Sequence, residues 1–111
     1  MTTPERNTFL ESQLCHAIRK RYKVRFSYKD ELSLRDLEPY IVYESTQHNY
    51  LVFGIQTHDS HKPLEPNVPR NFEIYFMKHF STLKESFEPD PKFRSLGFQD
   101  NLGVICAIDR I

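Results

Sequence analysis

The sequence predicts a mostly β fold: one N-terminal helix leads into a small five-stranded barrel, followed by a short C-terminal helix and strand. Three observations predict it. The apolar period drops from about four residues to two at Lys23, the change expected where a helix hands over to a half-buried strand. Alternating apolar runs then recur at steady spacing with turn-forming residues between them,. Apolar residues are 39% of the 111 and lean on nine Phe and six Tyr, so rings with few rotatable bonds supply most of the core,. A chain of this length fits one domain and needs no crosslink to hold it.

Thr8 precedes Glu11 at capping-box spacing, and Leu10, Leu14, Ala17 and Ile18 share one helical face, predicting a helix from Thr8 to Tyr22,. Val24, Phe26 and Tyr28 then alternate with polar neighbours as a first strand, and Lys29, Asp30 and Glu31 turn the chain,. Leu32, Leu34 and the segment Leu37 to Tyr43 predict a second strand, bent near Pro39, which has no N–H for a ladder,. After a turn at Gln47 and His48, the apolar run Tyr50 to Ile55 reads as a central strand,. Thr57 to Pro69, with three prolines and two histidines, reads as a loop of functional length,. Phe72, Ile74 and Phe76 predict a fourth strand; Phe80, Leu83 and Phe87 predict a short turn and a fifth. Glu88-Pro89-Asp90-Pro91 ends the sheet, Phe93, Leu96 and Phe98 suggest a short helix, and Val104 to Ile108 a last strand,. Barrel closure would remove the exposed edges that strands this apolar otherwise present. The expected division is residues 1–88 as the barrel with its helix and 89–111 as an extension, packed on the same domain or on a partner. The apolar last strand has no evident successor to pair with, and for that reason a homodimer built on it is expected,.

The formal charge is zero, so no whole-molecule attraction to nucleic acid or anionic membrane is expected and any anion site must be local,. Cys15 and Cys106 sit in apolar company and are expected as buried small hydrophobes in a reducing compartment rather than as a disulfide,. Charged residues within the first twenty argue against a signal-peptide core, and no stretch approaches the roughly 18 apolar residues of a membrane span,. A cytoplasmic protein with no membrane partner is expected. His58, Asp59 and His61 form an H-D-x-H group with only Glu65 nearby, too few ligands for zinc,. Cys15 and His16 are adjacent on a helix and point about 100° apart, unsuited to a catalytic couple,. With three glycines and neither a serine elbow nor a phosphate loop, the sequence predicts neither an enzyme nor a cofactor,.

The order of these segments resembles the WYL domain, a bacterial regulatory module with an Sm-like or SH3-like barrel. Ala17-Ile18 and Val24-Arg25-Phe26-Ser27-Tyr28 resemble that family's entry helix and first strand, and Leu37-Glu38-Pro39-Tyr40 resembles its second strand. Asn49-Tyr50-Leu51 stands at the name-giving triplet, with Asn49 in place of Trp. Arg70-Asn71-Phe72-Glu73-Ile74 is similar to the family's R-x-F-x-l, with Phe80, Leu83 and Phe87 following. The resemblance covers about residues 14–105, and the few residues before it point to a copy without the family's usual helix-turn-helix.

The resemblance implies a domain that binds a small anionic effector, a nucleotide or a nucleic-acid end, and so tunes transcription or phage defence, with a separate DNA-binding protein as a partner. Carried over, the pocket residues are Arg25, Tyr50 and Arg70, to which Tyr28, whose hydroxyl should reach the barrel rim, and Phe72 beside Arg70 are added. Tyr28, Tyr40, Tyr43, Tyr50 and Tyr75 are candidate base-stacking rings, with core packing the commoner fate,. Arg25 and Arg35 also fit solvated positions on a sheet face,. The family's second arginine, expected four to six residues past Arg70, is replaced by Phe76, and Tyr75 replaces an expected acid. Those departures keep open a second reading, a protein–protein interaction module whose pocket is vestigial.

Overall fold

A computed structural model of the chain describes residues 6–60, 67–94 and 103–109. Helix α1 spans Thr8–Lys20 and buries Leu10, Leu14, Ala17 and Ile18, the face the periodicity predicts, against the sheet. Its N-cap is Asn7 rather than Thr8: Asn7 Oδ1 accepts the Leu10 N–H at 3.0 Å,. Glu11, freed from a capping box, is instead held by Arg6 through two hydrogen bonds of 2.9 and 3.0 Å. The helix ends at Lys20, two residues short of the predicted Tyr22, because its C-cap Arg21 takes a left-handed φ of 60° and turns its N–H back to the Ala17 and Ile18 carbonyls,.

Six antiparallel strands follow: β1 (Tyr22–Tyr28), β2 (Arg35–Glu44), β3 (Tyr50–Asp59), β4 (Val68–Glu73), β5 (Met77–Ser86) and β6 (Gly103–Ala107). The first five lie in the order β4-β3-β2-β1-β5, and β6 pairs β2. The terminal strands β4 and β5 are joined only by a 3₁₀ turn, Ile74–Phe76. Five flat strands would hold the outer two roughly 19 Å apart at their usual spacing, whereas three 3₁₀ residues rise about 6 Å. The sheet therefore curls until its ends approach. The Tyr28 hydroxyl at the end of β1 accepts the Glu73 N–H of β4 at 3.0 Å, and Phe26 and Tyr28 meet the Phe72 ring at centroid distances of 5.0 and 4.9 Å. The mostly β class and the N-terminal helix are as predicted. The sheet has six strands rather than five because the C-terminal strand joins it, and among the described residues no ladder joins β4 to β5.

β2 carries most of the architecture. One edge pairs β3 from Arg35 to Glu44, while the other is shared: Arg35–Leu37 pair β1, and Ile41–Glu44 pair β6. The changeover falls at Pro39, which cannot donate a ladder hydrogen bond, and the register with β3 shifts between Pro39 and Ile41,. Opposite Pro39 stands Gly54, where a Cβ would lie 2.4 Å from the Glu38 carbonyl oxygen and 2.8 Å from Leu37 Cγ. Only glycine lets the strands approach this closely at the bend.

Four local expectations change. Leu32 and Leu34 belong to the β1–β2 turn and are 99% and 38% exposed, because alternation there continues without a partner strand. β3 runs on to Asp59 and β4 starts at Val68, so the predicted loop Thr57–Pro69 is shorter; its residues 61–66 lie outside the described residues. β3 lengthens without an apolar pattern because its buried Gln56 and Asp59 face Arg35 of β2. Ile74 and Phe76 form the 3₁₀ turn rather than the end of a strand, since the curl needs a sharp corner there. The short helix α2 is Pro91–Arg94, its Phe93 ring 5.6 Å from Phe53 and 6.3 Å from Tyr40, while Leu96 and Phe98 lie outside the described residues.

The cysteines are a further correction. Cys15 of α1 and Cys106 of β6 are joined in a disulfide, with Cα atoms 5.8 Å apart and 91 residues between them in sequence. Apolar flanks predicted buried, unbonded cysteines; both are instead half-buried and paired, because the return of β6 to β2 brings them together. That return also places the C-terminal strand on the sheet of its own chain, along the edge of β2 that β1 leaves open.

Two substitutions check this architecture. Phe72→Ala, at a site 4% exposed and in edge contact with two rings, should cost about 3–5 kcal/mol, read as a lower denaturant midpoint. Gly54→Ala should cost about 1–3 kcal/mol, because its new methyl meets backbone; an unchanged midpoint would place the close approach elsewhere.

Candidate functional site

The curl creates a cleft between two parts of the chain distant in sheet order. On one side are Tyr28, the turn residues Lys29 and Glu31, and Arg35; on the other is the β4 segment Pro69 to Phe72. The cleft is open and encloses about 460 Å³. Lys29 adopts a left-handed φ of 56° and its N–H donates to the Phe76 carbonyl at 2.8 Å, pinning the β1–β2 turn to the 3₁₀ corner. That places Lys29 Nζ 5.6 Å from the Tyr28 ring centroid and 5.5 Å from that of Phe76, a cation over two π-faces. Lys29 makes no ion pair among the described residues.

Arg35 is held differently. Its guanidinium lies 5.5 Å over the Phe72 ring, donates to Gln56 Oε1 and Glu31 Oε2 at 2.8 Å each, and has Asp59 Oδ2 at 3.5 Å. Two carboxylates therefore already balance its charge, and its role is to order the wall of the cleft. Its Nε is nonetheless buried without a hydrogen-bond partner among the described residues. Arg70 projects from β4 opposite Gly54 of β3, so the bend at Pro39 and the position of Arg70 are consecutive features of one ladder.

Of the five residues singled out from sequence, Tyr28, Arg70 and Phe72 line this cleft, and Arg25 and Tyr50 do not. Arg25 is forked onto Asp36 across the β1–β2 pair at 2.7 and 3.0 Å, which raises its pKa above the ordinary arginine value. Tyr50 opens β3, four residues from the Gly54–Arg70 pair, a separation of roughly 13 Å along a strand,. There its ring stacks under the Arg6 guanidinium at 4.2 Å and its hydroxyl accepts from Arg6 at 3.3 Å. Tyr50 thus steadies the start of α1. Phe76, where the resemblance implies a second arginine, packs edge-on against Tyr28 at 6.3 Å and beneath Lys29. His58 is exposed on β3, Asp59 is turned to Arg35, and His61 lies outside the described residues.

Sequence reasoning passed over Lys29 and Glu31 as turn residues and treated Arg35 as a solvated sheet-face position. The available signals were faint: Glu31 and Arg35 stand four apart, and Asp59 closes a long β-compatible run.

The fold has a solved counterpart. Proteasome accessory factor B/C (PafBC) of Arthrobacter aurescens is similar to this chain, with a TM-score of 0.61 and 20% sequence identity over 78% of the chain. The chain spans 13% of the length of PafBC. No family model matches the chain, and no curated protein is significantly similar to it. No helix among the described residues is long and apolar enough to cross a membrane.

Burial raises the pKa of Tyr28 above the ordinary phenol value, outweighing the opposing donation from Glu73 N–H, and burial likewise raises that of Tyr43. The folded state thus holds these phenolic protons more tightly than the unfolded chain. The corresponding stability is fully present below about pH 10 and lost as pH rises through the folded values. Alkaline titration of phenolate absorbance should show late-ionising tyrosines, and Tyr28→Phe should remove one of them. If the variant titrates as the parent does, the Tyr28 hydroxyl is solvated.

Proposed function

We propose that this chain is a regulatory binding domain of WYL type with a small Sm-like or SH3-like barrel, acting by binding alone and not as an enzyme. Its ligand is a small anionic effector, a nucleotide or a nucleic-acid end, held in the cleft between the β1–β2 turn and β4. The observation that carries this reading is convergence: Tyr28 of β1 and, far from it in sequence, Arg70 and Phe72 of β4 meet in one open cleft alongside Lys29 and Arg35. Among the lining cations Lys29 makes no ion pair with another described residue, a local positive charge in a chain whose net charge is zero,. A guanidinium beside aromatic rings suits a phosphate with an attached planar group. The fold likeness to PafBC supports the fold on which this reading rests, and a role in transcriptional regulation is part of the proposal. A cytoplasmic setting with a separate DNA-binding partner completes the proposal.

A second reading, a protein–protein interaction module, is favoured by one observation: Leu32, Leu34 and Tyr75 are exposed, two of them in the turn that borders the cleft,. The test uses thermal shift and calorimetry with nucleoside phosphates and short 5′-phosphorylated oligonucleotides. Binding should appear for the parent chain and weaken by about 10- to 100-fold in Arg70→Ala, the span of a lost charge-assisted hydrogen bond. No response to any of these anions, with self-association that Leu32→Ser abolishes, would replace the first reading by the second.

A further inference from the structure

The Cys15–Cys106 disulfide lies outside the cleft, and the binding reading does not use it. Both cysteines are only half-buried. A surface crevice of about 250 Å³ reaches both, bordered by Arg19, Arg21 and Asp109, and a second of about 530 Å³ reaches Cys15 from the side of Arg6, His16 and Arg19. Arg21 is paired to Asp109 at 3.0 Å and Arg6 to Glu11 at 2.9 Å. Arg19, which borders both crevices, makes no ion pair among the described residues.

The bond also has a mechanical position. β6 is held to β2 by a short ladder from Ile41↔Ala107 to Glu44↔Gly103, extended by the Ile108 N–H to the Tyr40 carbonyl at 2.8 Å. The disulfide is the only covalent tie between this strand and the helix that crosses the sheet. Within a reducing compartment a disulfide persists only transiently and acts in sensing or exchange. An accessible sulfur beside a cation that makes no ion pair among the described residues suits that chemistry, because the cation draws in an anionic thiol and stabilises the departing thiolate.

We propose that Cys15–Cys106 is a thiol–disulfide exchange site for a low-molecular-weight thiol bearing carboxylates, guided by Arg19, and that its opening frees β6 from the sheet. The thiolate attacks one cysteine sulfur, the Sγ–Sγ bond breaks, and the other cysteine leaves as a thiolate. A second thiolate then attacks the mixed disulfide, releasing the oxidised low-molecular-weight disulfide. Two electrons pass from the two small thiols to the protein, which ends with two cysteine thiols after protonation from water. Arg21 and Asp109 keep the loosened strand near its place, so that reoxidation can restore it.

The experiment uses the full chain, purified without reductant. Mass measurement with and without reduction before alkylation should show the bond. Opening rates are then compared, at equal thiolate concentration, for reduced glutathione, neutral 2-mercaptoethanol and cationic cysteamine. Glutathione should be fastest, and Arg19→Gln should slow it by roughly threefold, the effect of one nearby unit charge in water, while slowing 2-mercaptoethanol less and cysteamine least. Amide hydrogen exchange should rise on reduction at residues 41–44 and 103–107 and stay unchanged at residues 24–26 and 35–37, a readout that needs no variant. Free thiols in the purified chain, indifference to the charge of the thiol, or β6 amides that remain protected after reduction would each overturn the proposal.

Discussion

Two strands at opposite ends of the sheet order, β4 and β5, are connected by only Ile74–Phe76, and this short link bends everything else. A flat sheet cannot satisfy it, so the strands curl, Phe72 of β4 swings over Phe26 and Tyr28 of β1, and the concave face becomes the core. The cleft is the mouth of that curl. Its walls are the β1–β2 turn and β4, which no local feature of either would have put together.

Inside that geometry the charges separate by function. Arg35 is built in, its guanidinium shared among Gln56, Glu31 and Asp59 and laid over Phe72, and it stiffens the junction of β2 with β3. Lys29 lies over two rings and makes no ion pair among the described residues. The contrast matters for recognition, because a cation already neutralised adds little attraction for an incoming anion, whereas an unbalanced one over aromatic faces adds more. Phe76, which removes an arginine the resemblance implies, supplies one of those faces.

The C-terminal strand gives β2 a second partner along the stretch β1 abandons, and the disulfide ties that strand to the helix. A crosslink across 91 residues restricts the unfolded chain by about 4–5 kcal/mol in the chain-entropy view, a large part of the stability of an ordinary small domain. Its state therefore bears on the whole fold, even though neither cysteine lines the cleft.

The order and type of the elements were legible along the chain, because periodicity and turn residues are local: the face of α1, the alternation of β1, the bend at Pro39 and the apolar run of β3 all stand in the sequence. Arg70 was singled out through its resemblance to a family pattern and Tyr28 and Phe72 were added to it, and these three line one cleft. What the sequence left open depends on contacts between distant segments. Arg25 and Tyr50 looked equivalent to Arg70, but cross-strand register gives Arg25 to Asp36 and Tyr50 to Arg6. Polar Gln56 and Asp59 could extend β3 only because Arg35 faces them, and Cys15 could find Cys106 only because β6 returns to β2. A two-residue period says which face a side chain takes, while its neighbour across the sheet is chosen by the curl, and only the folded chain contains the curl.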